Sequence, residues 1–374
     1  MKKILIVLSA CLMIGSLFIF GCSSSKSDSI KIGVAIPLTG ASAQDGEAIK
    51  NGVKLATKLI NDEGGINGKK IELVVEDDKG DPSEAATVAN KLAQDKDISA
   101  IVGHFNSSCT LAAAPIYNQV GVVNVSPGSS AAAVSKAGDY TFRVITTDAV
   151  QGSSLMNWAV KDLGYKNIAI VYENTDYGAG LADVVLKAAG DLNTNIVAKE
   201  AYEVGSTDFS TVLTKIANSN ADVIIVGGLY NETALIAKQK NNFGLSKMQI
   251  MGVDAIYSDA LIKLGGAAVN GIKLTGYFSE VSKDPVTQNF VSKYKEAYNS
   301  TPSTYAAYGY DATLVIIDSI KKAGIDRKAI RDYMANIKDL KGATGSNSFD
   351  ENGDVIKQPL RLVIQDGKFT ITEK

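Results

Sequence analysis

Three short groupings in this chain bring together side chains able to hold or activate a small molecule. In Gly103-His104-Phe105-Asn106-Ser107-Ser108-Cys109-Thr110, a hydroxyl-rich turn separates an apolar run from an Ala-rich one. Free N–H groups where a helix begins, beside small hydroxyls, suit an anion such as a carboxylate. An ordinary N-cap at Ser107 or Ser108 explains the same residues, and this feature alone does not separate the two readings. Ser126-Pro127-Gly128-Ser129-Ser130 has the same placement after the next apolar run. There Pro fixes a turn and Gly leaves backbone groups approachable, although a plain loop accounts for it as well. His104 and Cys109 together would be a base and a nucleophile, but the chain has no second histidine and no evident group to orient the first. A buried, hydrogen-bonded His and a small apolar Cys are therefore expected.

Two other patterns fail on spacing. Phe349-Asp350-Glu351-Asn352-Gly353-Asp354 has the acidity of a calcium loop, but Gly353 comes too early and the distal Glu is missing, so a hairpin turn is expected. Gly178-Ala179-Gly180 lacks the third Gly and the strand-to-helix spacing of a dinucleotide fingerprint. No metal and no cofactor is expected. Among 374 residues there are 38 basic and 40 acidic side chains, a net charge of -2, so no basic surplus is present to neutralise a phosphate backbone and nucleic-acid binding is not expected. With 45% hydrophobic and 21% charged residues the chain is an ordinary globular one, and at roughly 150 residues per domain its length predicts about two domains.

The N-terminus sets the compartment. Lys2 and Lys3 precede an apolar run over 4–20, which ends in Gly21-Cys22 and a Ser-rich polar stretch. That order is the order of a secretory signal; a signal anchor is the competing reading of a run this long. Ile19-Phe20-Gly21-Cys22 resembles a bacterial lipobox, in which Cys22 is lipidated and becomes the mature N-terminus. The expected divisions are a signal peptide at 1–21 and a lipidated, flexible tether at 22–29. Cleavage leaves 36 basic and 40 acidic residues and Cys109 as the only body cysteine, so no internal disulfide forms.

The elements that must position these groups alternate. β-Branched runs at 30–36, 71–75, 98–102 and 121–125 read as strands, with helical patterns at 47–61 and from Pro82 to about Leu92. The rhythm restarts after Gln151. Helices are expected at 153–163, 180–189, 210–218 and 232–240, and strands at 167–172, 196–202, 223–226 and 249–251. Late helices are expected at 285–299 and 311–322. The fold class is α/β, with two similar parallel-sheet lobes.

The order of several segments resembles the substrate-binding proteins of branched-chain amino-acid ABC transporters, which have the type I periplasmic-binding-protein fold. These segments include Ile36-Pro37-Leu38-Thr39-Gly40, Asn61-Asp62-Glu63-Gly64-Gly65-Ile66-Asn67-Gly68, Asp77-Asp78-Lys79-Gly80-Asp81-Pro82, Asp176-Tyr177-Gly178, Thr207-Asp208-Phe209-Ser210 and Tyr308-Gly309-Tyr310-Asp311-Ala312. The resemblance implies a three-segment hinge, with 30–148 plus 279–358 as lobe I and 149–278 plus 359–374 as lobe II. It implies a monomer that takes an amino acid in the interlobe cleft and hands it to permease subunits of an importer.

The resemblance also implies a site. Ser107 receives the ligand carboxylate through its hydroxyl and N–H. Ser130 gives its N–H to the carboxylate and its hydroxyl to the ammonium, and the Gly128 carbonyl accepts from the ammonium. Asp254, in Gly252-Val253-Asp254, is the ammonium's counter-ion. Tyr177 and Tyr305 line the side-chain pocket, with Phe105, Asn106, Leu229 and Tyr230 alongside. The chain departs from the pattern at five positions: Asp254 stands where the best-known members carry Glu, Asn106 and Gly80 where some form a disulfide, and Asp45 and Leu229 at aromatic positions. These changes leave the grip on an α-amino acid intact and weaken the case for a purely aliphatic ligand. Another amino acid or a small amide is the first alternative, and a secreted hydrolase the second.

Overall fold

The computed structural model describes residues 29–373; the expected leader at 1–21, Cys22 and the tether up to residue 28 lie outside the described residues. The first sheet is built from β1 (Ser29–Ile36), β2 (Lys70–Asp77), β3 (Ile98–Gly103), β4 (Val123–Ser126) and β5 (Thr141–Arg143). Its order is β2-β1-β3-β4-β5 and every pairing is parallel. Helices α1 (Ala43–Asp62), α2 (Pro82–Gln94) and α3 (Ser107–Val120) connect the first four strands. Asp81 caps α2 by accepting from Ser83 and Glu84 N–H, with Pro82 in the first turn where its missing donor costs nothing.

The chain then enters α4 (Asp148–Asn157) and a second sheet of β6 (Asn167–Glu173), β7 (Asn195–Tyr202), β8 (Val223–Gly227), β9 (Gln249–Gly252) and β10 (Lys273–Gly276). Its crossings are α5 (Asp176–Asp191), α6 (Ser210–Ala217), α7 (Tyr230–Gln239) and α8 (Asp259–Gly265). Next come α9 (Pro285–Tyr298), α10 (Thr304–Ala323), α11 (Arg327–Met334) and a small hairpin, β11 (Leu340–Gly342) and β12 (Gly345–Asn347). Finally β13 (Leu360–Gln365) and β14 (Lys368–Ile371) return to the second sheet, whose order is β14-β13-β10-β9-β8-β6-β7.

The strands are apolar on both faces because both faces are covered. In β6, Ile168 and Ile170 join one core while Ala169 and Val171 join the core opposite. The two lobes are less alike than the alternating pattern predicts. The second sheet has seven strands to the first sheet's five, and β13 and β14 run antiparallel.

Several helices begin earlier than their patterns predict. α10 starts at Thr304 because its first turns are buried on every side, from Thr304 to Gly309, so no period of 3.6 shows there. Ser303 caps it by accepting from the Ala306 N–H. α4 and α5 likewise start at caps, Thr147 and Thr175, whose hydroxyls accept from Val150 and Gly178 N–H. The acidic run near residue 350 closes a turn, with Phe349 bridged to Val355 and Asp350 accepting from the N–H groups of Asn352 and Asp354. No helix among the described residues is long and apolar enough to cross a membrane.

α10 lies directly on α1, and two glycines allow it. A methyl group on Gly52 would sit 2.0 Å from the Ala306 carbonyl oxygen, and one on Gly309 would sit 2.4 Å from that of Ile49. Both obstacles are backbone, so neither can rotate away. Gly52→Ala is expected to push the helices apart at a cost of about 1–3 kcal/mol. Urea unfolding checks this, as a lowered midpoint with an unchanged slope.

Candidate functional site

The carboxyl ends of the strands in both sheets face one cavity of about 100 Å³. From the first sheet come Ala41 and Ser42 after β1, Lys79 and Gly80 after β2, Phe105, Asn106, Ser107 and Ser108 after β3, Gly128 and Ser130 after β4, and Ile145 after β5. From the second come Glu173 at the end of β6, then Thr175 and Tyr177, Val204 after β7, Leu229 after β8, and Asp254 and Ala255 after β9; Tyr305 of α10 completes the wall. This is where parallel α/β sheets take ligands.

α3 starts with its N-terminus on the cavity. Asn106 is the N-cap residue but makes no side-chain capping bond, so backbone donors of the first turn are available to an anion. The Ser107 hydroxyl accepts from the Ala131 N–H at 3.3 Å, which leaves its own hydrogen to donate. The Ser126 hydroxyl donates to the His104 carbonyl at 2.7 Å and accepts from the Ser129 N–H at 2.9 Å. Thr110 and Ser129 share a hydroxyl–hydroxyl bond of 2.7 Å, and Ser129 also donates to the Phe105 carbonyl at 3.0 Å. His104 is fully buried, with Nδ1 2.6 Å from Asp78 and Nε2 3.0 Å from the Tyr117 hydroxyl, and burial pushes the Cys109 thiol up. Both residues serve the frame. Arg143 grips the same loops: it donates to the carbonyls of Ser129 and Ala131 at 3.1 and 2.9 Å, and to Asp354 at 2.6 Å.

Contacts cross between the lobes: Tyr308 donates to Asp254 Oδ2 at 2.6 Å and Tyr230 to Gln44 at 3.1 Å. Within the second lobe the Asp254 N–H reaches Gln151 at 3.4 Å. Of the residues expected at the site, Ser107, Gly128, Ser130, Tyr177, Asp254, Tyr305, Leu229, Phe105 and Asn106 line the cavity together. Tyr230 does not line it: its side chain is buried in the core beside the second sheet and its hydroxyl is spent on Gln44. Asp45 is buried behind the wall, with Oδ2 unpartnered.

Sequence reasoning missed Glu173 and Thr175 in the wall and Asp148 behind it. Asp148 is fully buried, both its oxygens lack partners, and its N–H donates to the Ser130 carbonyl at 2.8 Å. Its signal was present in Thr147-Asp148, a cap followed by an acid in the first turn of a helix. Glu173 has only the weaker mark of an acid ending an apolar strand.

A profile of the periplasmic binding protein family matches residues 29–368. The chain belongs to that family. Members bind substrates and are not enzymes, and the family is extracytoplasmic. Over 327 residues the chain is 34% identical to the Leu/Ile/Val-binding protein homolog 1 of Brucella melitensis, covering 87% of each. A branched-chain amino acid transporter substrate binding protein of Streptococcus pneumoniae, solved in complex with isoleucine, superposes with a TM-score of 0.86 at 31% identity, covering 92% of this chain and 99% of that one. A leucine binding protein of Thermotoga maritima gives a TM-score of 0.86 at 31% identity over 92% and 97%.

Burial raises four acids at or behind the cavity of this binding protein. Asp254 is pushed up to about 6 against the Tyr308 bond, Asp148 to about 7 against the Arg143 charge, Glu173 to about 7 against the Thr175 bond, and Asp45 to about 8. An acid with a raised folded pKa contributes its full stability below its unfolded value of about 4, and that contribution is lost as pH rises through the folded value. For Asp45 the window runs from about pH 4 to about pH 8. Asp45→Asn carries no charge, so its melting temperature should gain on the parent's across that window and stand highest relative to it at the alkaline end. A gap that stays flat between the two ends would show that Asp45 is not held protonated.

Proposed function

We infer that this protein captures a branched-chain amino acid, leucine, isoleucine or valine, between its two lobes and delivers it to the permease subunits of an ABC importer. It acts as a monomer, held at the membrane by lipid on Cys22. The observation that carries the reading is the convergence of the α3 N-terminus, the loop of Gly128 and Ser130, and buried Asp254 on one cavity. A zwitterion taken out of water needs an anion site and a counter-ion side by side, and this set supplies both. The ligand carboxylate goes to the Ser107 hydroxyl and N–H and to the Ser130 N–H. The ammonium goes to Asp254, the Gly128 carbonyl and the Ser130 hydroxyl. Tyr177, Tyr305, Phe105 and Leu229 give the side chain its apolar walls. The names of the Brucella and Streptococcus relatives support the ligand class, and Ile19-Phe20-Gly21-Cys22 supports the anchor. The lobes are assigned as 30–148 with 279–358 and 149–278 with 359–374, swinging about the three crossings between them.

Titration calorimetry with leucine, isoleucine and valine tests the reading. Asp254→Ala should lose about 2–5 kcal/mol of binding, as desolvated charge pairs do, or roughly thirtyfold and more in dissociation constant. Asp254→Asn should lose nearly as much, since it keeps the shape without the charge, while Asp45→Ala keeps the parent's affinity. An Asp254→Asn variant that binds like the parent would remove Asp254 as counter-ion. Fractionation of cells tests the anchor: Cys22→Ser should move the protein from the membrane to the soluble fraction, and a variant still on the membrane would point to an uncleaved apolar segment.

A further inference from the structure

One corner of the cavity is chemically unlike the rest. Glu173 lines it, is 4% exposed, and has no cation among the groups that bear on its charge. Its Oε1 accepts from the Thr175 hydroxyl, also in the wall, at 2.9 Å. Two hydroxyls near it have no partner: that of Tyr177 in the cavity wall, and that of Tyr202, a residue only 6% exposed. A methyl on Gly228 would lie 1.7 Å from the Tyr202 hydroxyl and 3.7 Å from Glu173 Oε2, which puts both groups in one corner. Glu232, buried and accepting from the Gly205 N–H at 3.0 Å, adds negative charge there and no donor.

We propose that Glu173 and Thr175 form a second polar subsite in the ligand cavity, which takes a hydrogen-bond donor, a hydroxyl or primary amide, on the side chain of the bound amino acid. The proposal rests on the amino-acid part of the reading above and departs from its aliphatic side chain, putting a donor-bearing one in its place. An aliphatic side chain packed against Glu173 would seal in an already dry carboxyl and give it no new partner. A donor-bearing side chain supplies that partner. A neutral group suits the corner better than a cation, because burial raises the Glu173 carboxyl to about 7, so both protonation states are present near neutrality. An amide can bond either state, donating to the carboxylate or accepting from the acid. Sites built to bond a polar group discriminate against analogues that lack it, because their own groups are then left unpaired.

Calorimetry with leucine, threonine and glutamine on the full chain tests this, using the parent, Glu173→Gln and Glu173→Leu. The parent should bind threonine or glutamine at least as tightly as leucine. Glu173→Leu should weaken that donor-bearing ligand by about tenfold or more while leucine binding holds or improves. Glu173→Gln, which still bonds a donor, should stay within about threefold of the parent. A parent that prefers leucine to both others by about tenfold overturns the subsite and leaves the amino-acid reading standing. Equal losses for all three ligands in Glu173→Leu overturn it too, since they mark a structural role. Should that variant fail to fold, the parent's ranking decides. A parent that binds none of the three removes the amino-acid reading itself, and the subsite with it.

Discussion

The carbonyl oxygen of His104 is the point on which the site depends. Hydroxyls of Ser126, Thr110 and Ser129 converge on it at 2.7, 3.2 and 3.3 Å. Through them the turn after β3 and the turn after β4 are one object, and the imidazole is fixed from behind by Asp78 and Tyr117. Ser107 and Ser130 sit on these two turns. Their separation is therefore set by adjacent strands and a buried polar network rather than by loop packing. Such networks are rigid when every member is satisfied. A carboxylate held between two donors needs that rigidity, because donors that wander must be ordered at the moment of binding.

Acids from both sides of the cleft meet this fixed frame with the opposite character. Asp254, Asp148, Glu173 and Asp45 are acids in dry surroundings; Asp254 accepts from the Tyr308 hydroxyl and Glu173 from that of Thr175. The frame offers donors to a negative group, and the acids offer acceptors to a positive one. Tyr308 couples the two, since it stands on α10, packs in the first lobe's core and donates to Asp254 on the other side of the cleft.

Much of this was legible in the residues themselves. Four of the first sheet's five strands, the placement of the hydroxyl turns at strand ends, and the bland roles of His104 and Cys109 follow from apolar runs, turn chemistry and the lack of a second histidine; β5, three residues long, leaves no such run. What was not legible is informative. α10 hid its first turns because helices buried all round lose their period. β13 and β14 are short, and nothing local says they complete a distant sheet. Tyr230 adjoins Leu229 of the wall, but one step along the chain turns it into the core. Arg143 was invisible as a site residue because its partners, two carbonyls and Asp354, lie on segments that only the fold brings together. Asp354 belongs to the acidic run whose spacing failed for calcium, so that acidity has a structural use.

The interleaving of the chain has a consequence for how the protein comes into being. The first lobe's core joins Ile30–Ile36 residues to Tyr308, Ile316, Phe349 and Val355, and the second sheet is finished by β13 pairing with β10. Neither core can close before residues 304–371 are available. The cleft therefore assembles only when nearly the whole chain is present, and a partial chain has no finished site with which to seize a ligand.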